Sequence, residues 1–342
     1  MAVLDEMSAI TYDWAVDPEF DLIEYDHAAL DVLLEKAKVV DKPGAYIDIP
    51  VRRRRLPTGT FEYYDSLQTQ AVPQWETAQT RFRNHYATLS ISSQELMETV
   101  RMTADDLVGR RTLDDVGAEK SNVIVNLLAE KIRSAPMDLR QELADSLWVG
   151  SGGDVKAIDG FYDIIRNNTA SYGGVAANGF GTDAQSNNFW ASIVNGTSGN
   201  TDPYTFANMK TDRAQILHGR SVRTGQFYAF VSPDDYGGLE FALQGQQRFE
   251  AKSTAAELGF ETIAYRNLIF VEDSDLADNW TADIVYVNLR TLQMYIDKLW
   301  NFTMTKWVKS FDNEAINARM YFRGQVVCTD RRHNGWRTGI SL

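Results

Sequence analysis

The segment from Ala45 to Ile91 constrains the fold more than any other stretch, because it predicts a long two-stranded ribbon. Ile47, Ile49 and Val51 alternate with other residues at the period of a β-strand, and Pro50 limits that strand to an edge or a free ribbon. A turn signal at 56–60 and an aromatic-rich connection lead to a second strand-like run at 79–91. Extended at about 3.3 Å per residue, such a hairpin reaches about 50 Å or more. An isolated ribbon is marginal in water, and the chain offers no obvious covering partner, so we expect another subunit to cover it.

Four consecutive arginines, Arg52, Arg53, Arg54 and Arg55, end the first strand on a chain that is otherwise acidic. The sequence holds 47 acidic and 34 basic residues, a formal net charge of −13. This charge disfavours general nucleic-acid binding, because a protein that neutralises phosphates is normally basic. Adjacent strand residues point to opposite faces, so the arginines address two surfaces. We predict intersubunit ion pairs with an acidic neighbour, and a local nucleic-acid contact is the alternative.

The N-terminal region combines an acidic, aromatic stretch with a helix. Trp14, Phe20 and Tyr25 lie among acidic residues and Pro18 without a clean period. This pattern favours an extended arm on a neighbouring surface, and a segment packed on its own domain is the alternative. The apolar spacing over 28–40 predicts a helix. The N-terminus lacks the basic start and apolar run of a secretory signal, and no stretch approaches the roughly 20 apolar residues that span a bilayer.

The remaining sequence predicts a helical block followed by an α/β region. Apolar residues at helical spacing over 123–132 predict a helix that Pro136 is expected to interrupt, with a second helix over 137–148. The Gly/Ser turn at 150–153 is the best candidate for a domain boundary. After a stretch rich in Gly, Asn, Ser and Thr, the pattern predicts strands at 226–231, 268–271, 284–288 and 320–328, a turn at 232–235 and a helix at 239–257.

The sequence shows no catalytic, cofactor-binding or metal-binding motif. His27, His85, His218 and His333 are scattered outside any HExxH or HxH pattern, and there is no phosphate-binding loop or nucleophile elbow. Cys328, the single cysteine, lies in an alternating strand, where a small buried hydrophobe is the expected role. We therefore expect a soluble protein of a reducing compartment that is not an enzyme and holds no metal or cofactor.

The order of these features resembles that of tailed-bacteriophage major capsid proteins with the Hong Kong 97-type fold. The string IDIPVRRRRLPTGTFEYYDSLQTQAVPQWETAQTRFRNHYATLSIS is similar to their extended β-hairpin, the E-loop. TLDDVGAEKSNVIVNLLAEKIRSAPMDLRQELADSLWVG is similar to their spine helix and its sequel, and YFRGQVVCTDRRHNGWRTGI to their common ending. The resemblance implies an α+β fold with an N-terminal arm at 1–44, an E-loop at 45–91, a peripheral (P) domain at 92–150, an α/β axial (A) domain at 151–285 and a return to the P-domain at 286–342.

The resemblance implies a structural function. Copies would assemble as hexamers and pentamers into an icosahedral shell that encloses double-stranded phage DNA without sequence-specific binding, in a virion assembled in the host bacterial cytoplasm. The implied partners are the chain itself and portal, scaffolding and decoration proteins, with no membrane. The intersubunit contacts are expected at the ribbon residues Arg52, Arg53, Arg54, Arg55, Phe61, Tyr63, Tyr64 and Trp75 and at the arm residues Trp14, Phe20 and Tyr25.

Two other classes of protein remain open. An encapsulin-type nanocompartment shares the fold but packages enzymes, and it would need a lumenal groove for a cargo peptide. An enzyme or sugar-binding protein with its site in the Gly- and Asn-rich region would be a monomer or a small oligomer. Size-exclusion chromatography or electron microscopy of the purified protein separates this last class from both kinds of shell.

Overall fold

The computed structural model of the chain describes residues 27–41, 44–52, 60–63, 65, 75–99, 118–150, 155–166, 171–177, 190–196, 202–203, 206–217, 227–243, 262–265, 268–279, 283–310 and 314–341. The chain forms two compact units. The first unit includes Asn84–Leu143 and Ile296–Arg323, and the second comprises Asp26–Arg83, Ala144–Tyr295 and Gly324–Leu342.

Helices and strands both contribute to this fold. The α-helices are α1 Ala28–Glu35, α2 Ser93–Thr99, α3 Ala118–Val149, α4 Phe206–Ile216, α5 Pro233–Leu243 and α6 Ser274–Asn279. The strands are β1 Lys38–Val40, β2 Tyr46–Arg52, β3 Trp75–Arg81, β4 Arg83–Ser92, β5 Ile193–Gly196, β6 Asp202–Pro203, β7 Phe227–Val231, β8 Thr262–Tyr265, β9 Leu268–Glu272, β10 Ile284–Asn288, β11 Leu292–Asp297, β12 Thr303–Met304, β13 Val308–Lys309, β14 Ala315–Cys328, β15 Gly335–Thr338 and β16 Ile340–Ser341. A π-helix covers Tyr162–Arg166, and short 3-10 helices cover Lys298–Trp300 and Arg331–His333.

The second unit is built on a mixed sheet with the order β5-β15-β10-β7-β9-β8. Every residue of β7 and β10 is buried, because both faces of the sheet are covered. Phe227, Ala229 and Val231 face a core that includes residues of α4 and α5. On β7, the ring of Phe230 meets Trp148 at a centroid distance of 6.2 Å. The predicted strands at 226–231, 268–271, 284–288 and 320–328 are confirmed to within a few residues, the last beginning earlier at Ala315.

Two buried charged side chains of the second unit, Asp212 and Arg331, each have several hydrogen-bond partners. Asp212 on α4 is fully buried and accepts hydrogen bonds from Arg337 Nε at 2.7 Å and Nη2 at 2.6 Å. Tyr286 Oη at 2.8 Å and Asn195 Nδ2 at 2.7 Å also donate to this carboxylate. Arg331, fully buried as well, donates from Nε to the Ile164 carbonyl at 2.8 Å and from Nη1 to the Trp190 carbonyl at 3.1 Å. These bonds offset the cost of removing the charges from water.

The first unit is organised around the first part of β14. Strand β12 pairs antiparallel with it through Thr303 and Tyr321, and β13 pairs through Val308 and Asn317. Strand β4 also pairs with β14. Helix α3 belongs to the first unit up to Leu143 and to the second unit from Ala144. Its buried residues recur at helical spacing: Ile124, Leu128, Ile132, Ala135, Leu139, Leu143 and Leu147.

The prediction that Pro136 separates two helices is wrong, because α3 continues from Ala118 to Val149 with Pro136 inside it. A proline in a helix removes one backbone hydrogen bond and introduces a kink. The apolar stripe of α3 does not change phase across Pro136, since Ile132, Ala135 and Leu139 are all buried. Burial of a continuous stripe therefore offsets the local cost of the proline.

The prediction of a turn at 232–235 followed by a helix at 239–257 is also wrong, because the helix begins within the predicted turn. Helix α5 begins at Pro233, and its first turn contains Asp234 and Asp235. Ser232 Oγ accepts a hydrogen bond from the Asp235 amide at 3.3 Å and donates one to the Asp235 carboxylate at 2.6 Å. A serine cap followed by proline at the first helical position is a signal for the start of a helix, which explains why a helix and not a turn forms here. Residues 244–257 lie outside the described residues.

The second ribbon strand differs from its prediction, because the run at 79–91 belongs to two strands. Strand β3 begins at Trp75 and pairs with β2, and β4 pairs with β14. Buried positions are even-numbered in β3, at Ala78 and Thr80, and odd-numbered in β4, at His85 and Leu89. Since alternate residues of a strand share a face, this change of parity at Phe82 marks the change of partner.

Candidate interaction surface

The ribbon formed by β2 and β3 has one buried and one exposed face. The two strands are antiparallel, and their register runs from Tyr46 opposite Arg81 to Arg52 opposite Trp75. Ile49 and Val51 on β2 and Ala78 on β3 are no more than 4% exposed. The alternation of Ile47, Ile49 and Val51 that predicted the strand therefore marks the face directed into the second unit.

A glycine turn of the second unit holds the buried face of the ribbon. The Gln79 amide donates to the Gly173 carbonyl at 2.8 Å. Gly173 has a φ of 61°, and a Cβ at this position would lie 2.9 Å from the Ala78 Cβ. Only glycine combines this backbone conformation with such a close approach. The prediction that the chain offers no covering partner for the ribbon is wrong for this face, since a long-range contact within the chain supplies one.

The other face of the ribbon presents aromatic side chains to solvent. Tyr46 is 58% exposed and Trp75 is 62% exposed, at opposite ends of the paired region. Toward the tip, Phe61 is 66% and Tyr63 is 92% exposed. A turn at Glu62 orders this part, because the Asp65 carboxylate accepts from the Glu62 amide at 2.8 Å. The exposed aromatic residues form a surface that is suited to bury area against another molecule.

The structure describes part of the predicted contact set. Phe61, Tyr63 and Trp75 are exposed as expected, and Arg52 is the last residue of β2. The other predicted contact residues lie outside the described residues: Arg53, Arg54, Arg55, Tyr64, Trp14, Phe20 and Tyr25. Contact of any of these residues with a neighbouring copy stays a prediction.

Sequence reasoning missed two exposed features. Tyr46 is on the outward face, which the inward alternation of Ile47, Ile49 and Val51 already indicated. On the first unit, Leu299, Trp300 and Val308 are exposed along the first arm of the hairpin that β12 and β13 form with β14. The sequence of this arm, KLWNFTMTKWVK, combines apolar and basic residues without an acidic one. The absence of acidic residues from this stretch of an acidic chain is the sequence feature that could have indicated an exposed binding surface.

His27, Asp273 and Asp275 form a buried ionisable cluster in the second unit. His27 Nδ1 lies 2.6 Å from the Asp275 carboxylate, and Asp273 accepts from the Ala29 amide at 2.7 Å, which caps α1. Burial raises the pKa of Asp273 to about 7, and the neighbouring Asp275 carboxylate adds to the rise. Burial lowers the pKa of His27, but the hydrogen bond to Asp275 and nearby carboxylates outweigh it, so this pKa is raised overall. The cluster attaches α1 to the start of α6.

The other buried ionisable groups have structural roles. Burial raises the pKa of Cys328 to about 12, so its thiol stays protonated, as expected for a buried cysteine. Burial and the nearby Asp163 raise the pKa of Asp159 to about 6, and its carboxylate is hydrogen-bonded to Gln325 at 2.5 Å. Among the described residues, no group of three or more His, Cys, Asp or Glu side chains is arranged to hold a metal ion. No helix in the same residues is long and apolar enough to cross a membrane.

Comparison with known proteins assigns the fold. No protein-family model matches the chain, and no curated protein matches it. The capsid asymmetric unit of Cyanophage A-1(L) aligns with a TM-score of 0.62 at 14% identity, over 94% of this chain and 95% of that chain. The capsid of Myoviridae Phage XM1 aligns with a TM-score of 0.53 at 12% identity, over 90% and 91%. The holo-SrpI encapsulin complex from Synechococcus elongatus PCC 7942 aligns with a TM-score of 0.51 at 6% identity, over 91% and 87%.

These likenesses confirm the fold that the sequence predicted. The chain has the α+β fold of phage capsid proteins, the Hong Kong 97-type fold, along nearly its whole length. At these low identities the likeness establishes architecture, and function has to be argued from the surfaces of this chain.

Proposed function

We propose that this chain is the major capsid protein of a tailed bacteriophage, a structural subunit without enzymatic activity. Copies assemble as hexamers and pentamers into an icosahedral shell around double-stranded DNA. Under this proposal residues 1–44 serve as the N-terminal arm, 45–91 as the E-loop, 92–150 and 286–342 as the P-domain, and 151–285 as the A-domain. Portal, scaffolding and decoration proteins are proposed partners, and assembly takes place in the bacterial cytoplasm.

The observation that supports this function is the two-faced ribbon. Its inward face is held by Gly173, whereas Tyr46, Trp75, Phe61 and Tyr63 are exposed on the remainder. Each aromatic side chain buries roughly 150–250 Å² when covered, at about 25 cal/mol per Å² of apolar area. A neighbouring copy that covered the ribbon would therefore gain several kcal/mol, and a closed shell repeats this contact many times.

Charge is consistent with this function in two ways. Four arginines that are consecutive in the sequence, Arg52–Arg55, begin at the last residue of β2 on a chain of net charge −13, and we call them the strip. A neighbour of the same sequence is acidic overall, so ion pairs between the strip and that neighbour are favourable. An acidic inner wall also repels DNA, which lets DNA be packaged without adhering to the shell.

Deletion of Thr58–Thr77 tests the ribbon's role in assembly. The wild-type chain is expected to give closed particles in negative-stain electron microscopy, with nuclease-protected DNA after infection. The deletion removes the tip and Trp75 but keeps most of the paired base, so we expect a soluble product that does not form complete shells. Normal particles from the deletion would refute this role, and a wild-type chain that stays a monomer at high concentration would refute the shell itself.

Charge reversal of Arg52–Arg55 to glutamate tests the strip separately. We expect fewer shells, and the remaining assembly should depend more strongly on salt, because exposed ion pairs are screened over about 8 Å at physiological ionic strength. Reversal of four exposed lysines elsewhere, Lys36, Lys38, Lys156 and Lys210, changes the net charge equally and is the matched control. Equal shell yields at every salt concentration would contradict the ion-pair role.

An encapsulin-type compartment is the second candidate, favoured by the alignment with the SrpI encapsulin complex at a TM-score of 0.51. The contents of purified particles distinguish the two functions. Nuclease-protected DNA supports the capsid, whereas a stoichiometric protein cargo without DNA supports the compartment.

A further inference from the structure

The antiparallel hairpin that β12 and β13 form with β14 in the first unit has an exposed face. We call it the hairpin face, and it consists of Lys298, Leu299, Trp300, Lys306 and Val308, with the half-buried Lys309 next to it in sequence. Strands β12 and β13 fix it to β14, and the Thr305 amide donates to the Arg319 carbonyl at 2.8 Å. The ring of Trp300 stacks on Tyr321 at a centroid distance of 5.1 Å. Asp297 fixes the beginning of the hairpin by accepting from the Leu299 amide at 3.0 Å and from Arg323 at 3.2 Å.

This ordered hairpin leaves apolar side chains uncovered in the single chain. Leu299 is 68% exposed, Val308 is 61% exposed and Trp300 is 39% exposed. The residues from 298 to 310 include Lys298, Lys306 and Lys309 and no acidic residue, on a chain of net charge −13. The hairpin face is therefore both apolar and basic, which is the composition of a surface that binds an acidic, apolar partner.

The N-terminal segment of the chain has the complementary composition. Residues 1–26 contain no lysine or arginine and eight acidic residues, with aromatic side chains between them. The acidic residues are Asp5, Glu6, Asp13, Asp17, Glu19, Asp21, Glu24 and Asp26. Helix α1 begins directly after this segment, and the contacts of His27 with Asp275 and of Ala29 with Asp273 fix its start. Twenty-six extended residues reach at most roughly 85–95 Å.

We propose that the hairpin face binds the acidic N-terminal segment, residues 1–26, of a second copy of this chain. The proposal rests on the proposed shell function and names the partner surface of the arm. We assign the occupant to another copy because Leu299 and Val308 are exposed in the single chain. An acidic peptide fits better than DNA, since the exposed aliphatic side chains of Leu299 and Val308 need an apolar partner, which the aliphatic and aromatic residues of 1–26 provide and a phosphate backbone does not.

Photo-crosslinking of the assembled full-length protein tests this contact. A photoreactive phenylalanine replaces Trp14, and particles are assembled from a mixture of isotopically light and heavy copies. We expect cross-links between residue 14 of one copy and residues 298–309 of another, detected as mixed light–heavy peptides. Cross-links confined to single copies, to the strip at 52–55 or to any other surface would overturn the proposal.

Charge substitution provides the second measurement. Replacing Lys298, Lys306 and Lys309 by glutamate should reduce the mixed cross-links about tenfold, because the attraction of these lysines to the acidic segment is replaced by repulsion. Replacing Lys36, Lys156 and Lys210 by glutamate changes the net charge equally and should leave the yield unchanged. Adding Asp13→Lys, Asp17→Lys and Glu19→Lys to the hairpin variant should restore cross-linking. Absence of this rescue, or an equal loss in the control, would contradict the pairing.

Two further outcomes separate this proposal from its alternatives and from the shell function. If the hairpin variant loses packaged DNA while its cross-links persist, the face binds nucleic acid and the proposal is wrong. If the wild-type chain forms no particles, the shell function fails, and the cross-linking is then measured on the concentrated chain in solution. Mixed cross-links to the hairpin face there would support the contact by itself, and their absence would overturn it.

Discussion

The sheet of the second unit and the ribbon differ in how much of their surface the chain itself buries. In the sheet, both faces of β7 and β10 are covered, and the buried Asp212 has four hydrogen bonds. In the ribbon, one face packs against the Gly173 turn while Tyr46 and Trp75 are exposed on the other. Under the proposed function, folding stability depends on the sheet and assembly depends on the exposed face of the ribbon, so substitutions in the two regions should have separable effects.

Removal of the Asp212 carboxylate should cause the largest loss of stability. Asp212→Ala leaves Arg337 buried without its charge partner and leaves Tyr286 and Asn195 without an acceptor. We expect a loss of about 3–5 kcal/mol in the free energy of unfolding, measured by chemical denaturation of the unassembled chain. Asp48→Ala is the control, because its exposed bond to Gln79 should contribute less than about 0.5 kcal/mol. Similar losses in both variants would contradict the comparison.

Substitution of Gly173 should have the next largest effect. Gly173→Ala adds a Cβ at a φ of 61° and 2.9 Å from the Ala78 Cβ, so it should cost roughly 1–3 kcal/mol and loosen the ribbon. Gly174→Ala is a matched control, since its φ is 82° but no atom lies within 4 Å of the added Cβ. Amide hydrogen exchange at Gln79 should accelerate in the first variant only. Equal acceleration in both variants would mean that the effect comes from backbone strain at positive φ and not from the close approach of Gly173 to Ala78.

The cluster at α1 should make stability depend on pH around neutrality. Asp273 has a pKa raised to about 7 and His27 a raised pKa, so both favour their protonated forms in the folded chain. The contribution of Asp273 is complete below the ordinary carboxyl pKa of about 4 and is lost as the pH rises through about 7, and the contribution of His27 is lost as the pH rises through its raised pKa. For Asp273 the free energy of unfolding should therefore fall from about pH 4 to about pH 7, by at most about 1.4 kcal/mol per pH unit, and His27 should add to the fall above about pH 6.5. Asp273→Asn should flatten this slope and Asp48→Asn should not; equal slopes in all three proteins would refute the assignment.

Substitution of the outward aromatics should have the smallest effect on folding. Trp75→Ser and Tyr46→Ser remove side chains that are 62% and 58% exposed, so the free energy of unfolding should change by no more than about 0.5 kcal/mol. Shell yield, counted by electron microscopy, should fall clearly in the same variants. A large loss of folding stability with unchanged shell yield would reverse the roles that we assign to the two faces.

Local sequence patterns predicted a large part of the fold. The alternation of Ile47, Ile49 and Val51 identified the ribbon strand, and the apolar run at 284–288 gave a central strand with its observed bounds. The order of such elements also led to the capsid fold. Pro136 and Ser232 were misassigned for a common reason: a proline or a cap has its usual local effect only when packing does not favour the opposite outcome.

Of the candidate site, exposure of Phe61, Tyr63 and Trp75 was predictable, because aromatic residues in a turn-rich connection have few partners of their own. The hairpin face escaped prediction. Which of its residues point outward depends on the pairing of β12 and β13 with β14. The local sequence pattern does not predict that pairing.

The sequence by itself determined the ribbon, the helical stripe of α3, the buried strands and the acidic balance of the chain, since each follows from nearest-neighbour periodicity or from composition. Only the tertiary structure decided that β3 and β4 have different partners, that Gly173 supports the ribbon and that Leu299, Trp300 and Val308 stay exposed. These features depend on contacts between residues far apart in the chain, and a local pattern specifies which face of an element is apolar but not what will cover it.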